Sequence, residues 1–350
     1  MSLADEVLAV RTAVGLHADP AAVVLEVTGP DALAAVERAL PSDLYLRDGQ
    51  CRQSLLLDAS GRPVADVLVA RDDDRYLLTV AGATAAEALA RFDGDGRFEA
   101  RALDVSVVSA HGPWAWELVG EAFDPGAAAV PYLNLFRADG LVGLRAGRTG
   151  EFGYEFLAPR AEADAVMARL AAAGARFGAA AVTTEALRHC AFEGWFFDPS
   201  LAPEGEGVTA VELQLLWRLS PTRPYAGREA VRARLRAPTQ RRLTFVVTSE
   251  LAVVGDRVSL DGEDVGVVTR AARSLTRGDS VAHALLDARI AHGGIAGLRV
   301  GAQGLSARTV APPLVNNRSL HVDPRRHAFA CADEVAFPPP ARGGAPGCAP

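Results

Sequence analysis

Three stretches of this 350-residue chain hold side chains whose type and spacing could do chemistry. In Gly61-Arg62-Pro63-Val64-Ala65-Asp66-Val67-Leu68-Val69 a single carboxylate interrupts an apolar strand just after a turn. Asp66 is either an outward strand residue or a carboxylate aimed into a cavity, where low polarity tunes it for proton transfer. In Gly147-Arg148-Thr149-Gly150-Glu151-Phe152-Gly153-Tyr154-Glu155-Phe156 three glycines recur every third residue among two glutamates. Glycine at that spacing allows close approach to a ligand, and a plain hairpin loop also uses it. The third stretch, Glu185 to Phe197, is a helix end running into aromatic residues, with Glu193 and Trp195 among them. A glutamate buried there needs partners. A flat heterocycle with amidine-like N–H donors would pair with it and stack on the rings, whereas a solvated helix-end carboxylate is the plainer reading.

The elements that would position these groups follow from patterning. Val23 to Thr28 reads as a strand, and Asp31 can cap a helix through Leu40. Ser54–Asp58 and Val64–Ala70 are the arms of a hairpin, followed by a strand from Arg75 to Val80 and an alanine-rich helix from Ala83 to Phe92. A second strand, Val105–Ser109, leads into His111-Gly112-Pro113, then a hairpin around Gly140–Gly153 and a helix near 161–173. Two similar α+β lobes are therefore expected, over residues 1–100 and 101–238. From Arg241 short strands alternate with Gly-Asp and Asp-Gly turns, which predicts a small closed β-barrel over 239–313. The Pro-, Arg- and Gly-dense segment 314–350 is expected to be disordered.

Composition narrows the chemistry. All 36 positive side chains are arginine, so Schiff-base and P-loop lysine chemistry are excluded. A GC-rich genome accounts for that bias. A formal net charge of −7 argues against a nucleic-acid partner. No apolar run approaches the ~20 residues of a membrane span, and the N-terminus shows no signal-peptide pattern, so a cytoplasmic location without membrane contact is expected. Cys51, Cys190, Cys331 and Cys348 form no C-x-x-C pair, and no metal site is expected from the scattered histidines. Gly205-Glu206-Gly207 is too short for a dinucleotide fingerprint.

Together the motifs resemble the family of the glycine cleavage system T-protein, the tetrahydrofolate-dependent aminomethyltransferases. Ala9 to Gly15 resembles its Ala-Val-Arg-Thr-x-x-Gly, and Gly61 to Val69 its Gly-Gly-x-x-x-Asp-Leu-x-Val. Arg148 to Phe156 is similar to Tyr-Thr-Gly-Glu-x-Gly-Tyr/Phe-Glu-Ile/Leu, and Pro224 to Glu229 to the Phe-x-Gly-Arg/Lys-Glu element before the barrel. The resemblance implies two α+β lobes and a barrel around a central folate channel. It implies Asp66 as the catalytic carboxylate. For the cofactor it implies Glu193 gripping the pterin, with Trp195, Gln53, Tyr154 and Glu155 nearby and Arg218, Arg223 and Arg228 on the anionic tail. Read without gaps from Leu187-Arg188, the family's Leu-Arg-Leu-Glu places Cys190 at the glutamate instead.

The chain also departs from the family. The segment ahead of Ala-Val-Arg-Thr is almost wholly missing, a folate-facing tyrosine is Gln53, an asparagine is Ala81, and the tyrosine before Thr-Gly-Glu is Arg148. These changes gather at the one-carbon end. The expectation is a one-carbon transferase moving an aminomethyl, methylene or methyl group between tetrahydrofolate or 5,10-methylenetetrahydrofolate and a small-molecule or carrier-bound amine, which could be a specialised metabolite. The alternative is a folate-binding regulatory or scaffold protein without turnover. The iron–sulfur maintenance branch is disfavoured, because Pro224 replaces its cysteine and Arg228 its glutamine.

Overall fold

The structure is a computed structural model and describes residues 1–199, 208–237 and 241–341. The chain opens with α1 (Leu3–Thr12), β1 (Gly15–Asp19), β2 (Val23–Thr28), α2 (Ala32–Ala39), β3 (Cys51–Leu57), β4 (Pro63–Asp72), β5 (Arg75–Ala81), α3 (Ala85–Leu89) and β6 (Glu99–Ala102). It continues with β7 (Val105–His111), α4 (Ala115–Ala122), β8 (Asn134–Ala138), β9 (Leu141–Arg145), β10 (Gly153–Pro159), α5 (Ala163–Gly174), β11 (Ala180–Ala181), α6 (Thr184–Glu193) and α7 (Arg228–Arg236). The last strands are β12 (Arg241–Thr248), β13 (Arg257–Leu260), β14 (Glu263–Arg273), β15 (Ser280–Asp287), β16 (Leu298–Val300) and β17 (Leu305–Val310).

These strands make the expected α+β architecture: two open sheets and a closed six-stranded barrel. The first sheet has the order β3-β4-β5-β2-β6, the second β11-β1-β7-β10-β9-β8, and the barrel β12-β15-β14-β13-β16-β17. Strand alternation gives each sheet two apolar faces. One face of the first sheet packs Leu56, Val67, Val69 and Leu78 on Val36 and Leu40 of the α2 region. One face of the second packs Val108, Ala110 and Phe156 on Leu118 of α4 and Leu170 of α5. The remaining faces meet: Cys51, Leu68, Ala70 and Leu77 of the first sheet lie against Val107, Leu144 and Leu157 of the second. This inter-sheet layer holds the site.

Two expectations differ from what is seen. A boundary at residue 100 does not describe the lobes, because β1 pairs with β7 and β11 in the second sheet and α1 packs on α6. The first sheet is built from residues 23 to 102 only. The segment after residue 313 is ordered as far as residue 341, with single-turn helices at Arg318–His321 and Phe329–Glu334. Val322 and Val335 join the core of the second lobe, and Phe329 and Phe337 pack against it. Residues 342–350 and Gly205-Glu206-Gly207 lie outside the described residues. No described helix is long and apolar enough to cross a membrane.

Candidate active site

Asp66 reaches the inter-sheet layer because β4 alternates: Ala65, Val67 and Val69 face the helix side, whereas Asp66 and Leu68 face the second sheet. The hairpin that leads into β4 is set by Asp58, whose Oδ1 accepts from the N–H groups of Ser60 and Arg62. It docks tightly on the loop before α7. A Cβ on Gly227, at φ +78°, would lie 2.4 Å from the Asp58 carbonyl, so only glycine fits there.

Asp66 is 3% exposed and is held by two arginines. Arg218 Nη1 donates to its Oδ1 at 2.5 Å, and Arg148 Nε lies 3.3 Å from its Oδ2. Arg218 also reaches Gln53 Oε1 at 3.4 Å, and Ala81 is the cross-strand neighbour of Asp66. The positions at which this sequence departs from its family, Gln53, Ala81 and Arg148, therefore surround one carboxylate. Arg218 is a partner of Asp66 and not a free anion holder.

The second sheet contributes a row of polar side chains. His17 of β1, Ser109 of β7 and Glu155 of β10 are direct cross-strand neighbours, with His111 two residues along β7. They line a cavity of about 310 Å³ together with Thr79 and Gly82 of the first lobe and Arg188 of α6. That volume is in the range of small-molecule sites. A smaller chamber of about 20 Å³, lined by Gln53, Asp66 and Gly147, shares Thr79, Arg148 and Glu155 with the cavity.

Glu155 is half-buried, and no hydrogen bond or ion pair to its carboxylate is found among the described residues. Burial pushes its carboxyl above the usual range; Arg148 opposes that shift and Asp66 adds to it. His111 is 3% exposed, and burial lowers its imidazole to about 3, so the ring is neutral. Its Nε2 is 3.0 Å from Ser109 Oγ, which in turn lies 3.4 Å from the His17 carbonyl. With the serine hydrogen on that carbonyl, His111 donates from Nε2 and presents a bare Nδ1. That Nδ1 is buried without a partner. The row thus offers two acceptors, Glu155 and His111 Nδ1, to a ligand edge rich in N–H donors.

Arg148 projects from the glycine loop between the two chambers. Burial disfavours its charge, yet Asp66, then Glu155 and Asp198, raise its affinity for the proton above the usual arginine value. The three loop glycines serve approaches within the protein. A Cβ on Gly150 would lie 2.4 Å from Asn317 Nδ2, one on Gly153 2.2 Å from the Ala146 carbonyl, and one on Gly147 3.1 Å from His111 Nδ1. Glu151 in the same loop accepts from the Ser319 hydroxyl and N–H at 2.6 and 2.8 Å and so ties down the C-terminal segment.

Several residues expected at the site are placed elsewhere. Glu193 has a fully buried side chain and its oxygens are taken: Arg11 Nη2 at 2.9 Å, Ser274 Oγ at 2.6 Å, Thr276 N at 3.0 Å and Thr276 Oγ1 at 2.6 Å, with His189 Nε2 at 3.1 Å. Burial alone would raise its carboxyl; His189, Arg11 and Ser274 outweigh it and hold it far below the usual range. Cys190, at the gapless alternative, is also fully buried, and burial pushes its thiol up to about 12. Neither lines the cavity. Trp195 packs on Phe245 and His283 of the barrel, with ring centroids 4.6 and 5.2 Å apart. Tyr154 is fully buried on the helix-covered face of β10, opposite to Glu155, and its hydroxyl reaches the Ala127 carbonyl at 3.4 Å. Arg223 donates to the Glu37 carbonyl at 2.7 Å and pairs with Asp43, whereas Arg228 donates to the carbonyls of Pro221 and Thr222. Of the residues expected to contact a ligand, Asp66, Gln53 and Glu155 meet here.

The cavity groups not singled out from sequence are His17, Ser109 and His111, with Arg148 seen there only as a departure from the family. A signal for two of them exists: Ser109 and His111 are polar, two residues apart, at the end of the apolar run from Val105.

Two facing sheets that close a polar cavity, followed by a six-stranded barrel, form the architecture that the resemblance to the T-protein family implies. The chain belongs to the glycine cleavage T-protein family: residues 1–219 match the GCVT N-terminal domain and residues 240–316 the glycine cleavage T-protein C-terminal barrel domain. It is 28% identical over 319 residues to an aminomethyltransferase of Saccharopolyspora erythraea, covering 85% of this chain and 84% of that one. It is 27% identical over 311 residues to the heme-dependent oxidative N-demethylase gamma subunit of Ectopseudomonas mendocina, covering 84% and 82%. The crystal structure of the glycine cleavage system aminomethyltransferase T from Bartonella henselae shares the fold, with a TM-score of 0.76, 21% identity and 90% of each chain covered.

Proposed function

We propose that this protein is a tetrahydrofolate-dependent one-carbon transferase that takes its carbon from, or delivers it to, an amine. The observation that carries the reading is the pairing of an unpartnered carboxylate, Glu155, with a second carboxylate, Asp66, in two connected chambers of the inter-sheet layer. The donors and acceptors present fit a reduced pterin. Its amidine-like edge carries N–H groups, and Glu155 with the bare His111 Nδ1 supplies the matching acceptors. Tetrahydrofolate would supply two ring-side amines able to hold a carbon at the formaldehyde level.

Asp66 then acts at the reacting nitrogen. Held between Arg148 and Arg218, it stabilises the positive charge that develops as a carbon–nitrogen bond breaks, and it can relay the proton that the departing amine gains. Thr79 and the apolar wall below it exclude water from that step. The similarity to the N-demethylase gamma subunit supports an amine undergoing oxidative loss of a methyl group as the source of the carbon. The test is isothermal calorimetry with tetrahydrofolate and 5,10-methylenetetrahydrofolate. Binding of at least one at micromolar concentration is expected, and absence of heat with both overturns the reading.

A second reading, folate binding without turnover, is favoured by one feature: both Asp66 oxygens already face arginines. The Asp66→Asn variant separates the two. Normal folate binding with lost transfer supports the enzyme, and a wild type that transfers carbon to no tested amine supports the binding protein.

A further inference from the structure

Among the described residues, Arg148 is the one cation that lines both chambers. Its Nε lies 3.3 Å from Asp66 Oδ2 in an ion pair. Its two terminal nitrogens have no hydrogen bond or ion pair among the described residues, and the side chain is 32% exposed. A guanidinium with its outer N–H pair free is a fork that fits a carboxylate through two parallel bonds. The backbone beneath the fork is held by the close-packed Gly147 and by Thr149, whose carbonyl accepts from Arg11.

We propose that Arg148 receives a carboxylate carried by the amine substrate, so that this enzyme acts on an N-substituted amino acid or a similar aminocarboxylate. The inference rests on the folate-dependent reading above. The neighbourhood of the fork argues for a zwitterion. A carboxylate on the outer nitrogens of Arg148 places a nitrogen one carbon away beside Asp66, the side chain on the other edge of the same guanidinium. The ligand's cation then faces Asp66 and its anion faces Arg148, so neither charge is left alone in the chamber. The carboxylates of folate itself fit this position poorly. They are separated from the one-carbon nitrogens by a benzoyl ring, whereas Arg148 touches the carboxylate assigned to those nitrogens.

The test titrates N-methylalanine and its alcohol counterpart, N-methylaminopropanol, into the wild type and into Arg148→Gln and Arg148→Lys, each saturated with tetrahydrofolate. In the wild type the carboxylate probe is expected to bind at least tenfold more tightly than the alcohol. Arg148→Gln should bring that ratio close to one, and Arg148→Lys should keep part of it. Equal binding of the two probes by the wild type, or an unchanged ratio in Arg148→Gln, overturns the proposal. So does an Arg148→Gln variant that loses affinity for tetrahydrofolate but not for a tetrahydropterin without the glutamyl tail, since the carboxylate would then be folate's own. If the wild type prefers the carboxylate probe yet binds no tetrahydrofolate, the folate reading fails and the Arg148 site stands.

Discussion

Glu193 and Asp66 are both carboxylates buried against arginine, and they do opposite things. Glu193 receives hydrogen bonds from α1, from its own helix and from the barrel turn Ser274–Thr276, and it lines neither chamber of the site. Asp66 has arginine partners only, and one of them, Arg148, opens onto the 310 Å³ cavity. The difference is how many donors surround the charge and whether one of them retains unused valence. A carboxylate with its lone pairs filled from every side is a structural joint; one held along a single edge beside free donors is equipped to meet a ligand.

This contrast can be broken at several points. The largest effect is expected for Arg11→Met, which strands Glu193 in the interior and removes bonds to Thr149, Cys190 and Asn317. About 3–5 kcal/mol of stability should be lost in urea unfolding. A loss below 1 kcal/mol would deny Glu193 its role as a joint. Next is Asp66→Asn, where the amide still accepts from Arg218. Transfer should fall about 100-fold with tetrahydrofolate affinity retained, and equal losses of both would make Asp66 a binding group instead.

Glu155→Gln should weaken tetrahydrofolate by about tenfold, roughly 1.4 kcal/mol for a charge-assisted contact. The same variant has a signature in stability. The folded Glu155 carboxyl lies above its unfolded value, so the native state holds the extra proton between the two values and loses stability as pH rises through that window. Glu155→Gln should remove this loss, and a variant less stable than wild type at neutral pH would contradict an unpartnered carboxylate. His111 runs the other way. Lowered to about 3 from an ordinary 6.5, it contributes stability that is present above 6.5 and lost as pH falls toward 3. His283, also lowered to about 3, behaves alike, so His111→Asn should reduce the acid slope by one proton, about 1.4 kcal/mol per pH unit, and leave the rest. The smallest effect is expected for Trp195→Phe. Its ring lies in the barrel-facing cluster, so any fluorescence change on adding tetrahydrofolate should survive the substitution, and its disappearance would bring Trp195 back to the ligand.

Much of the architecture was legible because strand alternation and turn residues are local signals. The hairpin around Gly61 and the barrel strands from Arg241 to Asp287 lie close to where their patterns put them. What was not legible depended on long-range pairing. Tyr154 and Glu155 are neighbours in one strand and point to opposite faces, but which face meets the first sheet is decided by the partners of β10. Glu193 looked like a ligand group because, apart from His189, its donors come from residues 80 or more positions distant, in the barrel and in α1. Arg218 offered a free positive charge in the sequence and is consumed by Asp66, 152 positions away. The ordered C-terminal segment was hidden by its proline and arginine content, which outweighs four apolar anchors, Val322, Phe329, Val335 and Phe337.

The placement of β1 has a consequence for how the molecule is made. This strand leaves the ribosome before its neighbours in the sheet, Val107–His111 and Ala180–Ala181. Until β7 is made it is an unpaired edge, of the kind that invites association with other chains. An amino-terminal fusion or deletion that disturbs residues 15–19 would be felt first in the yield of soluble protein and only afterwards in its chemistry.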